Sequence, residues 1–295
     1  MNILITGGTG LIGSSFIKQF NQYSYTVLTR SPERAKSQLN GKINTLNTLT
    51  SLENLDDFDA VINLVGEPII DKRWTDQQKT IITDSRLKIT QQLTELFAHS
   101  ARPPEVFISG SAIGIYGNRG NEILSEDAKT QQDDFPSKLC TEWEAQAMKA
   151  QPKTRVVLLR TGIVLTPDGG ALAKMLTPFK LGLGGRIAQG TQYMSWIHFK
   201  DCINAIHHAL ITNTIAGPMN LVAPQPEPNK VFAQTLAKTL HRFAIFPAPS
   251  FVLKTVLGES ACLLLDSQRV VPSALLDSGF KFQWPDLGSA MQDML

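Results

Sequence analysis

Cysteine is scarce in this chain of 295 residues. Cys140, Cys202 and Cys262 stand far apart with no C-x-x-C pair, which argues against a disulfide framework or a thiolate zinc site and suits a reducing compartment. A dominant sign of charge is missing too. The 28 Lys and Arg face 26 Asp and Glu, a net charge of +2, so no global field argues for nucleic acid or a membrane surface. No apolar run approaches the roughly 20 residues of a membrane-spanning helix. An apolar strand-like run starts at Asn2, leaving no space for a signal or transit peptide. The expectation is a soluble, cytoplasmic protein. Phenols are few: only Tyr23, Tyr25, Tyr116 and Tyr193 are available. Internal repeats and low-complexity tracts are lacking.

What is present begins at the amino terminus. Ile3-Leu4-Ile5 runs into Gly7-x-x-Gly10-x-x-Gly13, and Leu11 and Ile12 open an amphipathic stretch. This pattern reads as strand, tight glycine turn and helix. Such a turn brings backbone N–H groups to a pyrophosphate at a helix N-terminus, where the dipole favours negative charge. The context predicts a dinucleotide site.

Further strand-like runs cover Tyr25–Thr29, Asp59–Leu64, Val106–Ser109 and Arg155–Arg160, with a weak strand near Ile43–Leu46 inside the poorly patterned segment Asn40–Leu55. Helical periodicity covers Asp76–Ser100 and Ser137–Ala150. Strands alternating with helices predict an α/β, doubly wound parallel sheet. From Gly217 prolines cluster and the alternation loosens. A smaller C-terminal lobe is therefore expected over residues 217–295, after a cofactor domain over 1–216. The stretch 168–192 reads as an excursion shared with that lobe. Trp196–Leu210 is expected to belong with the sheet.

These features resemble the extended short-chain dehydrogenase/reductase superfamily. TGGTGLIG matches its cofactor turn, and NLVGEP (Asn63–Pro68) stands where that group carries Asn-x-Ala-Gly. The phrases KRW, SRLKIT, KLCTEWE, LRTGIVL, PFKLGLGG, SWIH and QRVVPSALLDSGFKF narrow the likeness to its "epimerase family protein" branch. The resemblance covers essentially the whole chain. It implies a Rossmann sheet with a C-terminal lobe, a nicotinamide cofactor and a small-molecule substrate of the nucleotide-sugar kind. Implied cofactor contacts are Gly7, Thr9, Gly10, Leu11, Ile12 and Gly13 in the turn. Thr29 and Arg30, then Leu64, Val65 and Gly66, then Arg86 and Val164 complete the set.

The superfamily's chemistry uses a hydroxyl to polarise the substrate oxygen, a tyrosine to exchange its proton and a lysine to hold the ribose. Ser111, in the turn SGSAIGIYG, is the candidate hydroxyl. Lys138 falls at the lysine position. Four residues earlier, where the phenol belongs, stands Asp134, followed by Phe135. Tyr116 is the candidate substitute, and ring packing is its plain alternative. Glu67, Asp134 or a held water are further proton carriers. Lys174, Lys180 and Arg186 are weaker candidates for a substrate diphosphate. His198, and the pair His207 and His208 on a helical stretch, read as packed or surface histidines, not metal ligands. Asp201 reads as a helix cap or opener.

The second strand ends Thr29-Arg30, with no carboxylate before Glu33. An arginine there can bond a 2′-phosphate, so NADP(H) is expected over NAD(H). The leading expectation is an NADP-dependent oxidoreductase or epimerase. The rival is an NADP(H)-binding protein with little catalysis, motivated by the missing Tyr-x-x-x-Lys.

Overall fold

The computed structural model describes residues 1–39 and 43–295; the start of the weakly patterned segment, residues 40–42, lies outside them. The chain opens with β1 (Asn2–Thr6), α1 (Leu11–Gln19), β2 (Ser24–Leu28), α2 (Pro32–Gln38), β3 (Ile43–Leu46), β4 (Ala60–Asn63), α3 (Asp76–His99) and β5 (Val106–Ala112). A short 3-10 turn at Ile113–Tyr116 leads to β6 (Ile123–Leu124), α4 (Phe135–Met148), β7 (Arg155–Thr161), β8 (Ile163–Leu165) and α5 (Gly170–Lys180). Next come β9 (Tyr193–Met194), β10 (Trp196–His198), α6 (Phe199–Ile211), β11 (Gly217–Leu221), β12 (Glu227–Pro228) and α7 (Asn229–Thr239). The chain closes with α8 (Ser250–Leu257), α9 (Cys262–Leu265), β13 (Arg269–Val270), α10 (Ser273–Asp277) and α11 (Leu287–Met294).

Seven strands form one parallel sheet in the order β11-β7-β5-β4-β1-β2-β3. Alternation along each strand feeds two cores. Ile3 and Ile5 of β1 join Ile62, Ile108 and Val157 against Phe16 and Ile17 of α1 and Ile203 and Ile206 of α6. Leu4 points the other way, with Val61, Phe107 and Val156, against Leu93 and Phe97 of α3 and Ala147 of α4. The order reverses between β1 and β4, and this switch point opens the crevice at the strands' carboxyl ends. A third core joins Leu172, Leu176 and Phe179 of α5, Phe232 and Leu236 of α7, and Leu287 and Met291 of α11.

Two boundaries are corrected. Gly217–Leu221 pairs in parallel with β7 and forms the sheet's edge strand, so a lobe starting at residue 217 would cut a sheet strand away. The proline-rich pattern concealed a strand whose Met219, Asn220 and Leu221 are buried. Trp196–His198 pairs with β8 in a separate two-stranded sheet; from the 196–210 segment it is α6 that packs on the central sheet.

Candidate functional site

The glycine turn lies between β1 and α1, at the switch point. Gly7 has φ +68°, and a Cβ there would meet the Leu64 carbonyl oxygen at 2.6 Å. A Cβ at Gly13 would meet the Gly7 carbonyl oxygen at 2.4 Å. Both positions therefore require glycine, the first for conformation and contact, the second for close packing. Gly10, exposed, caps α1 without a side-chain hydrogen bond. The first-turn N–H groups of Leu11, Ile12 and Gly13 have no intrahelical acceptor and suit a pyrophosphate. Thr9 accepts from Gln38 Nε2 through its carbonyl at 3.0 Å. Leu11 is exposed, and Ile12 half-buried.

The neighbouring strand ends complete the rim. Thr29 is half-buried, its Oγ1 accepting from the Ser31 N–H at 3.1 Å, and Arg30 is exposed. Leu64 and Val65 are half-buried, and Gly66 is exposed. Arg86 lies beneath that loop. It donates to the Glu67 carbonyl at 3.1 Å and the Ile82 carbonyl at 3.0 Å, with its guanidinium 5.3 Å from the Trp143 ring. In this structure it holds the loop backbone. Val164 is half-buried in β8, opposite Ile197 of β10. The glycine cradle, the open helix terminus and the exposed Arg30 fit a dinucleotide.

Two of the three candidate chemical residues are joined by one buried network, and the third lies outside it. Ser111 is buried and donates to Glu144 Oε1 at 2.7 Å. Glu144 is bound twice by Arg160, from Nε and Nη2, each at 2.9 Å. Arg160 Nη1 donates to the Tyr116 hydroxyl at 2.9 Å, and that hydroxyl donates to Asn220 Oδ1 at 2.8 Å. Tyr116 is 0% exposed. Burial pushes its phenol upward, against the pull of Arg160. With no exposed surface and its hydroxyl engaged by Arg160 and Asn220, Tyr116 has the surroundings of the packing alternative. Ser111 likewise has its proton committed to a carboxylate. Lys138 is exposed on α4 and outside this network. Asp134, at the phenol's expected place, caps α4: its Oδ1 accepts from the Ser137 N–H at 2.8 Å.

Sequence reasoning missed Glu144, Arg160 and Asn220. One signal was available: an arginine late in the apolar run RVVLLR must find a partner when buried. It also missed a cavity of about 620 Å³ between Asn118 and the segment from Ser250 to Asp266, lined by Lys254, Glu259, Cys262 and Asp266. Burial, then Asp134, pushes the Asp266 carboxyl up to about 6, against the opposing Lys254. Burial and the nearby carboxylates push the Cys262 thiol up to about 12, so it stays protonated.

Other candidates fall elsewhere. Glu67 accepts from Lys72 at 3.3 Å. Lys174 bonds Asp71, while Lys180 and Arg186 are exposed. Asp201 sits in the first turn of α6, whose cap is His198, and accepts from the Gln283 and Trp284 N–H groups, both at 3.0 Å. His207 bonds the Tyr23 hydroxyl at 2.9 Å and stacks on Phe20. Among the described residues no group of three or more metal-ligating side chains occurs, and no helix is long and apolar enough to cross a membrane.

Comparison with known proteins agrees with this architecture. Residues 3–235 match the model of the NAD dependent epimerase/dehydratase family, and residues 248–294 match a domain of unknown function, DUF1731. An epimerase family protein of Staphylococcus epidermidis is 38% identical over 297 residues, spanning 99% of this chain and 98% of that protein. The crystal structure of human epimerase family protein SDR39U1 with NADPH is 35% identical, with TM-score 0.91 over 100% of this chain and 99% of that one. UDP-glucuronic acid 4-epimerase from Bacillus cereus, in complex with UDP-glucuronic acid and NAD, shares the fold at 20% identity and TM-score 0.77, over 100% of this chain and 98% of that one. This chain belongs to the NAD dependent epimerase/dehydratase family.

Proposed function

We propose that this chain is an NADP(H)-dependent oxidoreductase or epimerase acting on a small hydroxyl- or carbonyl-bearing substrate of the nucleotide-sugar class. The observation that carries the cofactor choice is Arg30, exposed at the end of β2 with no carboxylate beside it in sequence. Such a guanidinium can bond a 2′-phosphate and stack on adenine. The similar human protein was crystallised with NADPH, which supports the same choice.

The cofactor, when bound, supplies or accepts hydride. The chain's own part is to hold and to move a proton. The turn from Gly7 to Gly13 would hold the pyrophosphate, and Lys138 a ribose hydroxyl. Ser111 and Tyr116 are tied into the Glu144–Arg160 network, which favours another proton carrier. Asp266 is the candidate, because it lines the cavity and burial raises its carboxyl to about 6. Reduction would need it protonated, so turnover falls as pH rises through about 6, and Asp266→Asn removes that limb. NADPH oxidation measured across pH with a panel of carbonyls and nucleotide sugars checks this. A pH profile unchanged in Asp266→Asn would discard Asp266.

The buried network also favours a second reading, an NADP(H)-binding protein with little catalysis. Tight NADPH binding without turnover on the whole panel would select it. Robust turnover that Lys138→Ala or Asp266→Asn abolishes would reject it.

A further inference from the structure

One face of the C-terminal half carries large apolar side chains in water. Leu181 is 68% exposed, Leu183 59%, Phe243 79%, Ile245 67%, Phe246 52% and Phe251 70%. All but Phe251, which lies in α8, belong to two strips of chain joined by hydrogen bonds. Arg242 Nε donates to the Lys180 carbonyl at 3.0 Å, the Phe246 N–H to the Gly184 carbonyl at 3.3 Å, and the Ala248 N–H to the Arg186 carbonyl at 2.9 Å. Helix α8 follows directly and buries none of its residues. Clustered exposure of this kind marks an interaction surface.

The two stretches of chain that carry these side chains hold basic residues and no acid. No Asp or Glu occurs in residues 169–200 or 228–258. Lys180, Arg186, Lys230, Lys238 and Arg242 are exposed, and among the described residues none of them pairs with an acid. Arg186 and Lys230 line a cavity of about 260 Å³ whose wall also includes Ile245 and Pro247. A cationic hollow thus adjoins the apolar tips.

We propose that this face docks on an anionic lipid surface. Leu181, Leu183, Phe243, Ile245 and Phe251 enter the boundary between headgroups and acyl chains. The five cations meet lipid phosphates, and the hollow between Arg186 and Lys230 seats one headgroup. Apolar side chains beside Lys and Arg are the chemistry of interfacial binding. A second copy fits less well, because a two-fold contact would set this cationic patch against itself. The near-neutral net charge of +2 conceals the patch, since acids elsewhere in the chain offset it. The proposal does not depend on the cofactor or the reaction.

The test is co-sedimentation of the full chain with vesicles of phosphatidylcholine, with and without phosphatidylserine. The expected result is sedimentation with the anionic vesicles at low salt that declines as salt rises. Phe243→Asp with Phe251→Asp should weaken it by about tenfold or more, since both remove apolar surface from the lipid boundary. Lys230→Glu with Lys238→Glu, whose side chains make no hydrogen bond among the described residues, should do likewise. These side chains are exposed, so circular dichroism should be unchanged in both variants. Absence of sedimentation with anionic vesicles overturns the proposal. So does sedimentation that neither double variant weakens. A concentration-dependent dimer, lost in the Phe243 and Phe251 variant and unaffected by vesicles, overturns it in favour of a second copy.

Discussion

Arg30 leaves β2 exposed, and the first carboxylate after it, Glu33, lies in the first turn of α2 beside Lys36. Its removal should act on cofactor choice alone. Hydrogen bonds to charged groups contribute about 1.5–3 kcal/mol, so the wild type should prefer NADP(H) by roughly ten- to a hundredfold. Parallel titrations of wild type and Arg30→Ala with both cofactors measure this, and a preference that survives the substitution refutes it. Tyr116 predicts a different readout. Tyr116→Phe leaves Arg160 Nη1 and Asn220 Oδ1 each short of a partner, which should destabilise the fold by about 1–3 kcal/mol with cofactor affinity unchanged. Glu144→Ala leaves the buried Arg160 guanidinium without its carboxylate and should cost about 3–5 kcal/mol. Urea denaturation of the two variants ranks them; a smaller loss for Glu144→Ala would show that the network is not the anchor described.

Helix α4 joins the cap to the expected chemistry. Asp134 and Ser137 form a reciprocal capping box at its start, at the place where the superfamily carries its phenol. Asp134→Ala should cost about 0.5–2 kcal/mol, and Asp134→Asn far less, because asparagine caps as well as aspartate. The Asn variant also separates cap from charge. It removes a carboxylate that raises the Asp266 pKa, so Asp266 should titrate lower, which carboxyl-carbon NMR would record. At the glycine turn, Gly13→Ala should abolish dinucleotide binding more completely than Gly10→Ala. A Cβ at Gly10 meets the Gly7 carbonyl oxygen at 3.2 Å, against 2.4 Å at Gly13. The glycine turn is legible in the sequence, because twelve contiguous residues contain strand, turn and helix. The edge strand β11 is not. Its sequence GPMNL has a proline and no strict alternation, and it becomes a strand because β7 offers an open parallel edge.

The whole molecule shows how distant segments set a titration. His198 is buried, with its ring stacked on Trp284 at 3.9 Å. Its Nδ1 accepts from the Lys200 N–H at 3.1 Å, and Nε2 lies 3.3 Å from Asp293 Oδ2 without hydrogen-bond alignment. Burial lowers its pKa from 6.5 to about 4; Asp293 opposes and Lys200 assists. The unfolded chain therefore binds the extra proton first as pH falls from 6.5 to about 4, and the stability contributed by neutral His198 is lost over that window. The stability of wild type over His198→Asn should shrink by up to about 3 kcal/mol across it. Chemical denaturation at both ends measures this, and a constant difference would show that His198 does not titrate as described.

The sequence by itself determined the alternation of strands and helices, the doubly wound sheet, the dinucleotide turn and the branch of the family. Each of these is written in contiguous residues or in a repeating period. The arrangement around Tyr116 was decided by tertiary structure alone. Ser111 reaches Glu144 across 33 positions, and Tyr116 reaches Asn220 across 104. Spacing in the chain says nothing of such contacts until β5, α4, β7 and β11 are packed. The cationic apolar face arises in the same way, because the strips that carry Leu183 and Phe246 are joined only by bonds such as Phe246 N–H to the Gly184 carbonyl. A composition average cannot show which charges share a side of the molecule.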